Sequence, residues 1–170
     1  MNPEIGEPAS FLIKKLSKEE LRILLVENSD EPHARQIAEA LAKYKPQTTL
    51  EVAKTVRNVV KTFSKNIQEK EGDTPIKRVF QALRIEVNLE FEALDQFLED
   101  LPEITAHGAR IAILSFHSGE DRRVKKAFQE GQRMGIYAQI SPEIIRASAE
   151  EQRANPRSKP AKLRWAQKGL

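Results

Sequence analysis

Apolar residues recur at helical spacing through the first part of the chain. One stripe of leucines starts directly after the sequence Ser17-Lys-Glu-Glu20. A hydroxyl residue three positions before a glutamate is typical of a capping box at a helix start. Two further apolar stripes follow, and each has the spacing of an amphipathic helix. The pattern predicts a small helical subdomain over residues 1–65, and the polar residues 64–73 are expected to form a linker or mobile loop.

From Thr74 onward, helical spacing alternates with short apolar runs. One long amphipathic helix is predicted to begin at Thr74, to carry its apolar stripe as far as Leu98 and to be stopped by Pro102. The run RIAILSF, residues 110–116, is apolar without alternation, which predicts a central or near-central strand buried on both faces. A helix over residues 120–133 follows, and IYAQI and AKLRWAQ are predicted as two more strands joined by a polar, partly helical connection. This order is typical of the second half of an open α/β sheet.

Composition and charge narrow the class of protein. The 170 residues include no cysteine, which excludes disulfides, thiolate zinc sites and cysteine nucleophiles. No apolar stretch approaches the roughly 20 residues that span a bilayer, and the first ten residues lack a signal-peptide pattern, so a cytoplasmic protein without membrane contact is expected. Residues 110–170 hold 13 Lys and Arg against 6 Asp and Glu, a net charge of +7. Such a surface favours a polyanion such as RNA, although an unevenly charged solvated surface has the same composition.

The predicted strand at residues 110–116 ends among polar residues, Ser115, His117 and Ser118. Ligands bind beyond the carboxyl ends of strands in open α/β sheets, so these three are candidate site residues. Structural roles are also open, because Ser118 with Asp121 fits a helix N-cap and His117 fits a partly buried imidazole. Ser118 and Asp121 flank His117 too closely for a Ser-His-Asp triad, and no histidine has ligand-spaced partners for a metal.

Two other polar groups are candidates for binding. Gln81, Arg84 and Asn88 form one stripe of the long predicted helix, which is either a solvated face or a surface that reads a base edge. The late segment at residues 155–160 is stiffened by two prolines and is either an ordinary basic loop or a phosphate-facing one. The cations of that loop and of the last strand are Arg157, Lys159, Lys162 and Arg164.

Three segments together resemble the 16S ribosomal RNA (cytosine-N4) methyltransferase family, known as RsmH or MraW. They are FQALRIEVNLEFEAL, ARIAILSFHSGEDRRVKKAF and NPRSKPAKLRWAQK, and MNPEIGEPASFLIKKLSKEEL more weakly resembles the start of the family's inserted helical domain. The resemblance implies that residues 1–65 correspond to the insert domain. It implies that residues 74–170 form part of a doubly wound, Rossmann-like methyltransferase domain. S-adenosylmethionine would then be the methyl donor, and a cytosine of ribosomal RNA the acceptor.

The resemblance also implies roles for individual residues. Ser115, His117 and Asn155 are expected to orient the cytosine, as catalytic residues, and no metal is implied. Residues expected to contact RNA are Gln81, Arg84, Asn88, Ser118, Arg122, Arg157, Ser158 and Lys159. The chain departs from the family at Gly119, where the family usually has leucine.

The cofactor site is the second departure. The glycine-rich loop and the ribose-binding acid of the family lie upstream of the part that this chain resembles. No two of the seven glycines lie two residues apart, so the sequence holds no G-x-G loop. We therefore expect a truncated family member that lacks half of the cofactor pocket, which argues against methyl transfer by this chain alone. The alternatives are a non-enzymatic RNA-binding or partner-binding module, or a chain whose exposed sheet is covered by a separate polypeptide or by a second copy.

Overall fold

The computed structural model describes residues 7–170, which divide after Glu90 into two compact units. The beginning of the N-terminal family resemblance, residues 1–6, lies outside the described residues. The division places the helix that begins at Thr74 in the first unit. The sequence had suggested a boundary between residues 65 and 74.

The first unit is helical throughout its described residues. Its helices are α1 (Ala9–Lys15), α2 (Lys18–Ser29), α3 (Ala34–Tyr44), α4 (Thr49–Val60), α5 (Lys65–Glu71) and α6 (Thr74–Asn88). Each of the longer helices contributes one apolar stripe to a shared core. The fully buried members of that core include Ile13, Leu21, Leu25, Ile37, Leu41, Val56 and Val79.

The predicted capping box at the start of α2 is confirmed. The Glu20 backbone N–H donates to the Ser17 hydroxyl at 3.3 Å, and the Ser17 N–H donates to the Glu20 carboxylate at 2.8 Å. Both bonds satisfy donors that a helix start would otherwise leave unpaired.

Two predictions about this part of the chain are wrong. The polar segment that was expected to be a loop contains α5, and the Gln68 side chain donates to the Lys61 and Phe63 carbonyl oxygens beside it. The single long helix is two helices, because Leu89 adopts a left-handed conformation with φ of 50° and ends α6. Leucine rarely takes this conformation, so the sequence carries no signal for the break.

The second unit is an α/β unit, as predicted. Its elements are α7 (Glu90–Ile104), β1 (Arg110–Ser115), α8 (Ser118–Arg133), β2 (Tyr137–Ile140), α9 (Ala149–Ala154), a 3₁₀ turn (Pro156–Ser158) and β3 (Lys162–Lys168). The strands form one antiparallel sheet in the order β1-β3-β2. A core between helices and sheet contains Leu98, Leu101, Ile111, Val124, Phe128, Tyr137 and Ala166.

The prediction that β1 is buried on both faces is wrong. Within the described residues β3 is the central strand, and β1 has a hydrogen-bonded neighbour on one side only. Ile111 and Ser115 are buried, whereas Ala112 and Leu114 are exposed, because successive side chains point to opposite faces and α8 packs on one of them. An apolar run therefore does not by itself show that a strand is covered on both faces.

A buried ion pair joins the central strand to the first turn of α8. Arg164 Nε donates to Asp121 Oδ1 at 2.8 Å, and Arg164 Nη2 donates to Oδ2 at 3.3 Å. The side chains of Arg164 and Asp121 are only 8% and 10% exposed. The sequence had left open whether Arg164 faces a phosphate and had suggested that Asp121 partners a Ser118 cap. In the structure the two residues together anchor the helix to the sheet.

We expect Asp121→Asn to destabilise the protein strongly. The substitution leaves the buried Arg164 guanidinium without its counter-charge, which costs about 3–5 kcal/mol of unfolding free energy. Urea unfolding followed by fluorescence of the single tryptophan, Trp165 of β3, measures the loss. Asp95→Asn is the matched control, because Asp95 pairs with Arg123 at 2.9 Å but is 46% exposed. The control should lose less than about 1 kcal/mol, and equal losses in both variants would contradict the assignment.

Candidate functional site

A cavity of about 470 Å³ lies beside the end of β1. Phe116 lines it from the strand end, and Asn155, Arg157 and Ser158 line it from the late turn. The late turn and the strand end are separate motifs of the sequence, and the fold brings them to one place. The cavity lies on the sheet face opposite α8, since Leu114 of β1 and its partner Leu163 of β3 also line it.

The late turn is held by hydrogen bonds within itself. Asn155 Oδ1 accepts from the Arg157 backbone N–H at 3.2 Å, and the Asn155 carbonyl oxygen accepts from the Ser158 hydroxyl at 2.8 Å. Ser158 is therefore buried and structural, whereas Asn155, Arg157 and Lys159 remain exposed. The Asn155 NH₂ group takes no part in the turn and is free to meet a ligand.

Ser115 does not line this cavity. It faces the α8 side of the sheet, is 4% exposed, and donates from its hydroxyl to the Lys162 carbonyl oxygen at 3.3 Å. The two residues are direct partners of the β1–β3 register. Ser115 therefore holds the end of β1 against β3. From the sequence alone, this structural role could not be distinguished from a catalytic one.

His117, not Ser118, is the N-cap of α8. The Glu120 backbone N–H donates to His117 Nδ1 at 3.4 Å, and Ser118 is the first residue of the helix and exposed. The expectation that Ser118 caps the helix is wrong, because the imidazole nitrogen takes the acceptor role of a hydroxyl. The His117 ring also packs on the Phe91 ring, with centroids 5.7 Å apart.

The Glu120 carboxylate is the charged centre of this helix start. Its Oε2 accepts from the Phe116 backbone N–H at 2.8 Å, and its Oε1 lies 3.2 Å from His117 Nε2. The contact between His117 Nε2 and the Glu120 carboxylate does not have the geometry of a hydrogen bond. His117 Nε2 is therefore buried without a hydrogen-bond partner among the described residues. The adjacent imidazole, together with the Phe116 N–H, lowers the pKa of Glu120 from 4.5 to about 2. The sequence does not single out Glu120, whose only signal is its position three residues after the cap.

Gly119 has no room for a side chain. A Cβ atom there would overlap Phe91 Cζ, and the Arg123 guanidinium covers the same ring at 4.1 Å from its centroid. A leucine at this position, as the family resemblance predicts, would require Phe91 to move. The ring of Phe91 thus occupies the space that a leucine side chain at position 119 would need.

In the first unit, the predicted polar stripe makes contacts within the protein. Gln81 donates to the Asn28 carbonyl oxygen at 3.1 Å. Arg84 donates to both carboxylate oxygens of Glu90 at 2.9 and 3.0 Å, and Asn88 donates to the same group at 2.9 Å. Arg84 and Asn88 are exposed, so they remain accessible despite these bonds.

Two further findings concern residues 7–170 as a whole. No group of three or more histidine or acidic side chains there is arranged to hold a metal ion. No helix in the same range is both long and apolar enough to cross a bilayer.

Arg122, another residue expected to contact RNA, lies exposed in the first half of α8.

Comparison with known proteins decides the family. The model of the MraW methylase family matches residues 1–169, which extends well beyond the segments that carry the resemblance. The chain belongs to the MraW methylase family. This confirms the resemblance drawn from the three motifs.

Curated relatives carry names of the same kind. "Ribosomal RNA small subunit methyltransferase H 1" of Lachnoclostridium phytofermentans is 45% identical over 98% of this chain and 47% of its own length. "Ribosomal RNA small subunit methyltransferase H 2" of Alkaliphilus metalliredigens is 44% identical over 98% of this chain and 49% of its own length. "Ribosomal RNA small subunit methyltransferase H" of Acidobacterium capsulatum is 36% identical over 99% of this chain and 55% of its own length. The chain therefore spans about half the length of these relatives.

Glu120 should make the stability of the protein depend on acid pH. Its pKa of about 2 in the folded protein lies below the ordinary 4.5, so its contribution is complete above pH 4.5. The contribution is lost as the pH falls from there toward about 2, where the folded carboxylate takes up its proton. Glu120→Gln should be less stable than the wild type at pH 7 and lose less stability on acidification. Thermal unfolding at several pH values tests this, and parallel curves for the two proteins would contradict it.

Proposed function

We propose that these 170 residues form the acceptor-binding part of an S-adenosylmethionine-dependent ribosomal RNA (cytosine-N4) methyltransferase. The observation that carries the proposal is the cavity in which the strand end at Phe116 meets Asn155 and Arg157. The names of the relatives support ribosomal RNA as the substrate class.

The chemistry of the cavity suits an unstacked base. Phe116 is 51% exposed and offers an aromatic face on which a base can stack. The Asn155 amide can donate to a base edge, and Arg157 and Lys159 are placed to meet the phosphates of the same strand. An enzyme that modifies a base must hold it outside the stack, so an aromatic face beside an amide is the arrangement required.

The proposed site residues fall into three groups. Asn155 touches the cytosine, whereas Ser115 and His117 hold the end of β1 and the start of α8 and so position Phe116. RNA contacts of the second unit are assigned to Ser118, Arg122, Arg157 and Lys159, with Ser158 shaping the turn. RNA contacts of the first unit are assigned to Gln81, Arg84 and Asn88.

The sheet is proposed to be part of a doubly wound, Rossmann-like one that continues beyond β1. Leu114 is 53% exposed, and β1 lacks a second neighbouring strand among the described residues. A strand edge with exposed apolar side chains favours pairing with further strands. Those strands would come from outside these 170 residues, in the same polypeptide, in a separate one or in a second copy.

The residues present do not fit S-adenosylmethionine. The two glycines of α8, Gly119 and Gly131, pack against the rings of Phe91 and Tyr137 and line no open cradle. The sequence also holds no G-x-G loop. We therefore assign the donor site to residues outside these 170, and we propose that this chain alone does not transfer a methyl group.

Calorimetry tests the assignment of the donor site. The purified 170-residue chain should show no micromolar binding of S-adenosylmethionine, because the loop that would hold the cofactor is absent from it. RNA binding by the same preparation is the control for a folded protein. Micromolar binding of the cofactor would overturn the assignment.

The acceptor site is tested with a short single-stranded RNA that contains one cytosine. Phe116→Leu should weaken binding by about 1–3 kcal/mol, since a base loses its stacking partner. Arg157→Ala should also weaken binding, and Arg153→Ala, which removes an exposed arginine of α9 outside the cavity lining, is its control. Replacing the cytosine by uridine should weaken binding to the wild type but not to Asn155→Ala, which lacks the amide proposed to contact the base edge.

The same experiment judges a second candidate function, a non-enzymatic RNA-binding module. The net charge of +7 over residues 110–170 favours it. Such a module would bind RNA with steep salt dependence but without preference for cytosine. Equal affinity for both RNAs and no effect of Phe116→Leu would favour the module over the acceptor site.

A further inference from the structure

A second cavity in the α/β unit lies on the opposite side of the sheet from the candidate site. It has a volume of about 320 Å³ and is formed between α8, the end of β2 and β3. Its polar lining consists of Lys125, Gln129, Gln132, Ser141 and Arg164. Neither the proposed acceptor site nor the family resemblance uses this cavity.

The lining carries positive charge and hydrogen-bond donors. Lys125 and Arg164 are cationic, and none of the acidic side chains of residues 7–170 lines the cavity. The two glutamines on successive turns of α8 add amide donors. A metal cation would find no carboxylate here, whereas an anion would find charge and donors together.

The Arg164 guanidinium is fixed in place before any ligand binds. Its Nε and Nη2 atoms donate to Asp121, and the side chain is 8% exposed. Those bonds leave the Nη1 N–H groups for the cavity that Arg164 lines. Asp121 also offsets the charge of Arg164, so Lys125 supplies the net positive charge of the cavity.

Ser141 adds a second donor that is already in position. Its hydroxyl oxygen accepts from the Trp165 backbone N–H at 3.3 Å, and the residue is 5% exposed. Because the oxygen is the acceptor in that bond, the O–H proton is left to donate to a ligand. The buried guanidinium and the buried hydroxyl come from β3 and from the residue after β2, so the sheet itself holds them.

We propose that this cavity binds a phosphate group. Its volume lies near the lower limit of about 300 Å³ for ligand pockets, which suits one phosphate better than a whole nucleotide. The phosphate is either a phosphodiester of an RNA strand or a free phosphate ion, because both present the same oxygens to the same donors. The inference does not depend on the acceptor site, which lies on the other face of the sheet.

Nuclear magnetic resonance of the ¹⁵N-labelled chain tests the proposal. Sodium phosphate, compared with sodium chloride at equal ionic strength, should shift the side-chain amides of Gln129 and Gln132 and the backbone N–H of Ser141. Lys125→Glu should weaken binding about tenfold or more, because it reverses the charge of the cavity. Lys126→Glu is the matched control: Lys126 neighbours Lys125 on α8 but lines a different cavity, beside α7. The control should weaken binding less than about twofold, through screened long-range charge alone.

A second variant, Gln132→Glu, puts a carboxylate into the cavity from an exposed position and should abolish binding without unfolding the protein. Thermal unfolding of all variants checks that the fold is kept. Equal effects of Lys125→Glu and Lys126→Glu, or phosphate-induced shifts confined to other residues, would overturn the proposal.

A short RNA then identifies the source of the phosphate. If RNA shifts the same resonances and phosphate competes with it, the cavity holds a phosphodiester. If phosphate alone shifts them, the cavity holds the free ion. If the proposed acceptor site is wrong, RNA will leave the resonances of Phe116 and Asn155 unshifted. That result is separate from the result at the phosphate cavity.

Discussion

The arrangement of the α/β unit depends on one buried ion pair, between Arg164 of the central strand and Asp121 of the first turn of α8. Removing two charges from water is costly, and a bidentate geometry recovers that cost in only one relative placement of the two groups. The pair therefore sets where α8 begins above the sheet. The same helix start carries the His117 cap and the bond from the Phe116 N–H to the Glu120 carboxylate. The ring of Phe91 packs against His117 there.

The sheet separates two kinds of polar residue by simple alternation. On the α8 side, Ser115 and Arg164 are buried and bonded within the protein. On the other side, Leu114 and Phe116 are exposed and share a cavity with the late turn. The motif Ser-Phe-His-Ser is continuous in sequence, yet it places structural residues on one face of the sheet and an exposed ring that lines a cavity on the other.

Features that rest on local chemistry could be predicted from the sequence. The capping box of α2, the three strands, the α/β class and the family all follow from short patterns whose partners lie nearby in the chain. Features that rest on distant partners could not. The burial of Arg164 depends on Asp121, which lies 43 residues earlier, and the edge position of β1 depends on which strand pairs with it. The break at Leu89 and the imidazole cap at His117 escaped because each residue type takes such a role infrequently.

The central position of β3 has a consequence for the order of folding. β1 and β2 make no pairing with each other, so within the three-stranded sheet of residues 7–170 neither strand has a neighbour before residues 162–168 are made. During synthesis the helices of the first unit can form from local contacts while the chain is still growing, whereas the sheet waits for a strand made more than forty residues after β1. Until then the apolar runs of β1 and β2 are exposed together, and this interval is when the chain is most prone to aggregate or to need a chaperone.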